Sequence, residues 1–184
     1  MTWIIVLAVV AVLILIVIGL YNGLVRARNQ VDNAWSQIDV QLKRRIDLIP
    51  NLVETVKGYA AHEKETLDAV VTARNAAIAA PAGDPHAQAA ADNQITGALR
   101  QLFALSEAYP DLKANQNFLA LQEELTATEG RVAYARQFYN DTVLGYNNKL
   151  QTFPTVVLAG MFHFTKRDYF EADGADRQVP KVQF

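Results

Sequence analysis

The sequence predicts an all-α chain: an N-terminal transmembrane helix continuous with an elongated antiparallel three-helix, or up to four-helix, bundle. Three observations carry this. Residues 3–20, WIIVLAVVAVLILIVIGL, form an uncharged apolar run. Beyond it, apolar residues recur at a mean step of about 3.6, the period of a helix with one buried stripe. No β-hairpin signal and no convincing strand alternation occurs before residue 150.

The apolar run comes first. About 20 residues in helical form rise roughly 30 Å, the thickness of a bilayer's hydrocarbon core. A cleavable secretory signal would need a basic leading region, an apolar stretch of about 7 to 15 residues and a small-x-small cleavage site. Met1 and Thr2 carry no side-chain charge, and Tyr21-Asn22-Gly23-Leu24 offers no such site. The run therefore reads as a retained anchor, with residues 3–25 as the lipid contact. Trp3 and Tyr21 either sit at the two headgroup regions or simply fall at the helix ends. Arg26 and Arg28 follow the run at once, and Lys43, Arg44 and Arg45 come further on. By the positive-inside tendency the short N-terminus lies outside and the remainder lies in the cytoplasm, a single-pass arrangement.

The remaining elements follow in order. Val31, Trp35, Ile38, Leu42, Ile46, Ile49, Val53, Val56 and Ala60 make one stripe. No strong breaker lies between Leu20 and Asp47, so anchor and first bundle helix read as one rod. Pro50 removes a helical hydrogen bond and crowds the carbonyl four residues back, predicting a kink or short break near Ile46 to Pro50. The stripe weakens but persists through Leu67, Val70, Val71 and Ile78. Pro81-Ala82-Gly83-Asp84-Pro85 is the first clear loop and separates two helical arms. A helix is predicted from about His86 to Glu107, ended by Tyr109-Pro110-Asp111. A last long helix carries Phe118, Leu121, Leu125, Thr128, Val132, Ala135, Tyr139, Val143, Tyr146 and Leu150. The apolar segment 156–164 is too short to span a bilayer and is expected to pack on the bundle, on a partner or shallowly on lipid. These readings divide the chain into an anchor (1–25), a single helical-bundle domain (26–170) and an extended or poorly ordered tail (171–184).

Composition narrows the chemistry. The net charge of −2 gives no strong field for nucleic acid, and Lys43-Arg44-Arg45, the only basic triplet, reads as a solvated helix face. The chain has no cysteine, which excludes disulfides, cysteine-ligated metals and thiol nucleophiles. His62, His86 and His163 are far apart. His62-Glu63-Lys64-Glu65-Thr66 begins like a zinc-peptidase helix, but Thr66 stands where the second histidine must be. The acidic pairs Glu63/Glu65 and Glu123/Glu124 read as solvated faces. No catalytic, cofactor-binding or metal-ligating residues are therefore assigned, no cofactor is expected and the chain is expected not to be an enzyme. Asn29, Asp39, Glu129, Arg136, Asn140 and Asn147 lie on or beside the stripes. Asp39 and Arg136 either face each other as a register-fixing ion pair, both lie exposed, or belong to a functional polar groove.

Several spaced strings agree in order with one known family: YNGLVRARNQV at 21–31, AWSQIDVQLKRR at 34–45, LIPNLV at 48–53, VKGY at 56–59, His62-Glu63, YPDLKA at 109–114, ARQFYN at 135–140 and Phe153-Pro154. The sequence resembles the bacterial LemA family over almost its whole length. The resemblance implies a single-pass anchor in the bacterial inner membrane with its short end outside, followed by a cytoplasmic helical bundle. It supplies no catalytic residues, because the family has no established enzymatic activity or cofactor. Family members are often encoded near membrane metallopeptidases of the HtpX type. The resemblance thus implies a membrane-anchored interaction scaffold that gathers copies of itself or a membrane protein partner, with an accessory subunit of such a protease as the alternative.

Overall fold

A computed structural model describes residues 1–171. Among the described residues the chain has six helices and no strand. They are α1 (Thr2–Lys57), α2 (Lys64–Ala79), α3 (Pro85–Ser106), α4 (Pro110–Lys113), α5 (Gln116–Gln151) and α6 (Thr155–Met161). The all-α bundle expected from the sequence is what forms. Apart from Glu171, the predicted tail lies outside the described residues.

Helix α1 is a single element of 56 residues and runs unbroken through the segment 20–47. Its residues 2–19 are exposed, and it is the one described helix long and apolar enough to cross a membrane, with a mean hydropathy of 3.4 over its most apolar window. From Leu24 onward the burial pattern changes to a stripe. Leu24, Val31, Ile38, Arg45 and Leu52 recur every seven residues and are all buried. Such a heptad spacing is what a helix needs to keep one seam against its neighbours.

The helix also passes through Pro50 without a break. Proline has no N–H to give the carbonyl of Ile46, four residues back. Arg74 of α2 replaces the missing donor, with Nε donating to the Ile46 oxygen at 3.3 Å. A part-buried carbonyl thereby regains a partner from outside its own helix. Replacing Arg74 by Met, which keeps the length but not the donor, should lower stability by about 1 kcal/mol, measured by chemical denaturation of the full chain in detergent. A loss indistinguishable from zero would show that solvent serves the carbonyl equally well.

A turn at residues 58–63 departs from the expected single arm. Gly58 follows the last residue of α1, and glycine costs about 1 kcal/mol relative to alanine inside a helix. The turn is held by tertiary bonds that periodicity does not reveal. The Tyr109 hydroxyl donates to Glu63 at 2.7 Å, and Asn115 Nδ2 donates to the Tyr59 hydroxyl at 2.9 Å. Helix α3 starts where the loop chemistry predicts. Pro85 occupies the first turn, and the Asp84 carboxylate accepts from the backbone N–H groups of His86 and Ala87.

The chain divides into two compact units, and the division falls inside α1 and α5. One comprises Met1–Gln37 with Gln137–Asp168; the other comprises Ile38–Arg136 with the chain from Tyr169. In the second, α1, α2, α3 and α5 contribute to one core that includes Ile49, Leu52, Val56, Leu67, Val70, Leu99, Leu102, Phe118 and Leu125. In the first, the small residues Ala27 and Ala34 of α1 are buried, as are the bulky Tyr139, Val143 and Tyr146 of α5. Trp35 meets Tyr139 edge-on at 5.4 Å between ring centres.

Candidate functional site

Two features in the described residues carry polar chemistry, one in each unit. The first is built on the buried seam of α1. Arg45 stands in the heptad row between Ile38 and Leu52 and is only 2% exposed. A guanidinium cannot be neutralised by losing its proton, so burial forces it to find a counter-charge. That partner is Asp92, which occupies the equivalent row of α3 with Leu99 and Ser106 at seven-residue steps. Arg45 Nη1 donates to Asp92 Oδ1 at 2.7 Å and to Thr96 Oγ1 at 2.9 Å. Arg136 of α5 takes the other carboxylate oxygen, Oδ2, and also reaches Asn93 Oδ1 at 3.4 Å. Glu129 approaches Arg45 Nη2 at 3.9 Å from the solvent edge. The Arg136 guanidinium lies over the Phe170 ring, 4.9 Å from its centre.

Two guanidiniums and two carboxylates thus join α1, α3 and α5. Both Asp92 oxygens are occupied by permanently charged donors, so the cluster is arranged to hold helices rather than to exchange protons.

The second feature is a groove of about 560 Å³ between α1 and α5 in the first unit. Gln30, Asn33 and Gln37 line it from α1, with Asp141, Thr142 and Lys149 from α5. The same helix pair is also tied together by chain that follows α6. Asn147, which is buried, donates from Nδ2 to the Arg167 carbonyl at 2.9 Å and accepts the Arg167 N–H at 3.0 Å. Arg167 in turn pairs with Asp32 at 2.9 Å.

The Tyr139 hydroxyl donates to the Asp168 carbonyl at 2.9 Å. Burial pushes its pKa up to about 12, with Asp168 and Asp32 adding to the rise and Arg167 opposing it. The unfolded phenol ionises near 10, so its contribution to stability is complete below pH 10 and is lost as pH climbs from 10 towards 12. Tyr139→Phe should flatten that part of the alkaline stability profile relative to the unmodified chain and cost about 1 kcal/mol at neutral pH through the lost hydrogen bond. Denaturation curves at pH 8, 10 and 11.5 test both effects.

The residues singled out from sequence separate into distinct fates. Asp39 and Arg136 do not pair: Asp39 binds Lys43 one turn on at 2.7 Å, and Arg136 binds Asp92. Neither is fully exposed, because both side chains lie at the border of the stripe. The basic triplet is not a uniform solvated face. Lys43 and Arg44 are exposed, but Arg45 points into the core because it falls in the heptad row. Glu63 is half-buried under Tyr109 rather than solvated, whereas Glu65 and Glu123 are exposed. Glu124 binds Arg44 at 2.5 Å and Arg131 at 3.6 Å. His62, His86 and His163 are all exposed, and His86 Nδ1 lies 2.8 Å from the Glu171 carbonyl oxygen. Asn29 is exposed and Asn140 half-buried. The Arg45–Asp92 pair was missed, although charged residues in otherwise apolar heptad rows were the available signal.

The family model described as "LemA family" matches residues 34–184. Protein LemA of Metamycoplasma hominis is 29% identical over 162 residues, covering 87% of this chain and 73% of that protein. Magnetosome protein MamQ 2 of Paramagnetospirillum magneticum is 26% identical over 175 residues, and magnetosome protein MamQ of Magnetospirillum gryphiswaldense is 25% identical over 174. Each of these two alignments covers 82% of this chain and 64% of the relative, so the chain spans just under two thirds of the MamQ proteins it matches. On the family match over most of its length, the chain belongs to the LemA family.

Proposed function

We propose that this protein is a non-enzymatic, single-pass scaffold of the bacterial inner membrane, anchored by residues 3–25 and presenting its later helices to the cytoplasm. The observation that carries the reading is the change of character within α1. One continuous helix begins as an exposed apolar span and continues as a buried stripe. An exposed apolar run of this length costs free energy in water and gains it in lipid. The buried stripe then makes the anchor a structural member of the helical domain. Relatives named as magnetosome proteins favour a membrane setting.

Two measurements test it. Because the chain has no cysteine, Lys113→Cys in intact cells should react with an impermeant thiol reagent only after permeabilisation, whereas labelling from outside would overturn the orientation. Photocrosslinking from Tyr134, an exposed aromatic on α5, should trap either a second copy or one defined membrane protein. A lone monomer in crosslinking and in detergent sizing would sink the scaffold. Recovery of a membrane peptidase as that defined protein would narrow the role to an accessory subunit.

A further inference from the structure

The apolar segment after α5 does more than close the helix pair. Helix α6 buries Leu158 and Ala159 and turns the rest of its apolar surface outward. Val157 is 54% exposed, Met161 66% and Phe162 49%, with Phe153 and Val156 exposed beside them. A contiguous set of this kind calls for a partner. Its position indicates which. Tyr21 is the first residue after the apolar span of α1. Its ring meets Phe162 edge-on at 4.9 Å and Phe164 at 5.8 Å. The exposed surface of α6 is therefore continuous, through an aromatic contact, with the end of the span that would lie at the headgroups. Arg28 lies over Phe164 at 5.5 Å, and Arg26, Lys149 and Lys166 are further cations in the same unit.

We propose that α6, with Phe153 and Phe162, lies in the plane of the membrane as a second, interfacial contact with an anionic bilayer. Seven residues cannot cross the bilayer, but apolar side chains flanked by cations suit the boundary between headgroups and acyl chains. Tyr21 would mark the headgroup depth at which the spanning and in-plane segments meet, since an amphipathic ring is stable there. The inference rests on the anchoring of residues 3–25, and the test separates the two.

Single cysteines at Leu13, Val157 and Ser36, each carrying an environment-sensitive fluorophore, are placed in the full chain in phosphatidylglycerol-containing vesicles. A lipid-borne nitroxide near the headgroups and another deeper in the acyl chains are then added. Ser36 is exposed on α1 and lies about 22 Å along the helix from Tyr21, beyond the headgroups. The Leu13 probe should be quenched by the deep nitroxide, and the Val157 probe by the shallow one at least about twofold more than the Ser36 probe. If Val157 is quenched no more than Ser36, α6 does not touch lipid, and a shielded emission without quenching would assign the surface to a protein instead. If Leu13 escapes quenching, the anchoring reading fails. Quenching of Val157 alone would then sustain the interfacial contact by itself.

Discussion

Asp92→Asn should cost about 3–5 kcal/mol of stability, the largest loss expected from any near-isosteric change in this protein. The substitution keeps the shape of the side chain and removes only its charge. It leaves Arg45, 2% exposed, without the carboxylate that balances it, and deprives Arg136 of the same partner. Against a total of about 5–15 kcal/mol for an ordinary domain, that is a substantial fraction. The measurement is chemical denaturation of the full chain in detergent, followed by helical circular dichroism. A loss below about 1 kcal/mol would mean that water reaches the cluster and screens it.

The double variant Arg45→Met/Asp92→Leu provides the control. It restores apolar side chains to both heptad rows, so most of the lost stability should return, and a gain over the unmodified chain is physically reasonable. The Nε atoms of Arg45 and Arg136 make no hydrogen bond, which shows that the cluster is not fully satisfied. The charged arrangement is costly in itself, and its expected benefit is register. Three helices meet at Asp92, and a one-turn slip of α1 or α5 would separate the charges. The double variant should therefore keep stability while broadening side-chain NMR signals, if register is what the cluster supplies.

Phe118→Ala should cost about 3–5 kcal/mol through lost burial and the cavity left behind. Phe118 is fully buried at the start of α5 and packs edge-on against Phe103 at 6.2 Å between ring centres. Its own N–H donates to Asn115 Oδ1 at 3.0 Å, so the first turn of α5 is capped and the ring is held in place. Leu119, the next residue, is 46% exposed, and Leu119→Ala should change stability by no more than about 0.5 kcal/mol. Equal effects at the two positions would contradict the face of α5 described above.

Much of the architecture was legible before any coordinates, because it depends on local properties. Hydropathy marks residues 3–20, and the helical period marks Val31, Ile38, Leu42 and Ile49 on one side of α1 and Leu125, Val132, Tyr139 and Tyr146 on one side of α5. Asn147 is visible in the sequence as a polar residue on a stripe, and in the fold it holds the backbone of Arg167. The turn at 58–63 was not legible, because the bonds from Tyr109 and Asn115 that hold it come from far along the chain. For the same reason Pro50 suggests a kink or short break, where no break forms: the donor that supports α1 there is Arg74, on another helix.

Sequence alone therefore determined the helices, the apolar span and the stripe positions, since each follows from the order of side chains along one backbone. Only the tertiary structure decided what the charges do. Arg45 looks like its exposed neighbours Lys43 and Arg44 until α3 brings Asp92 against it, and Asp39 and Arg136, which looked complementary, each find a nearer partner. A charge takes its role from what surrounds it after folding, because its energy depends on distance and solvent exposure, which sequence position alone does not specify.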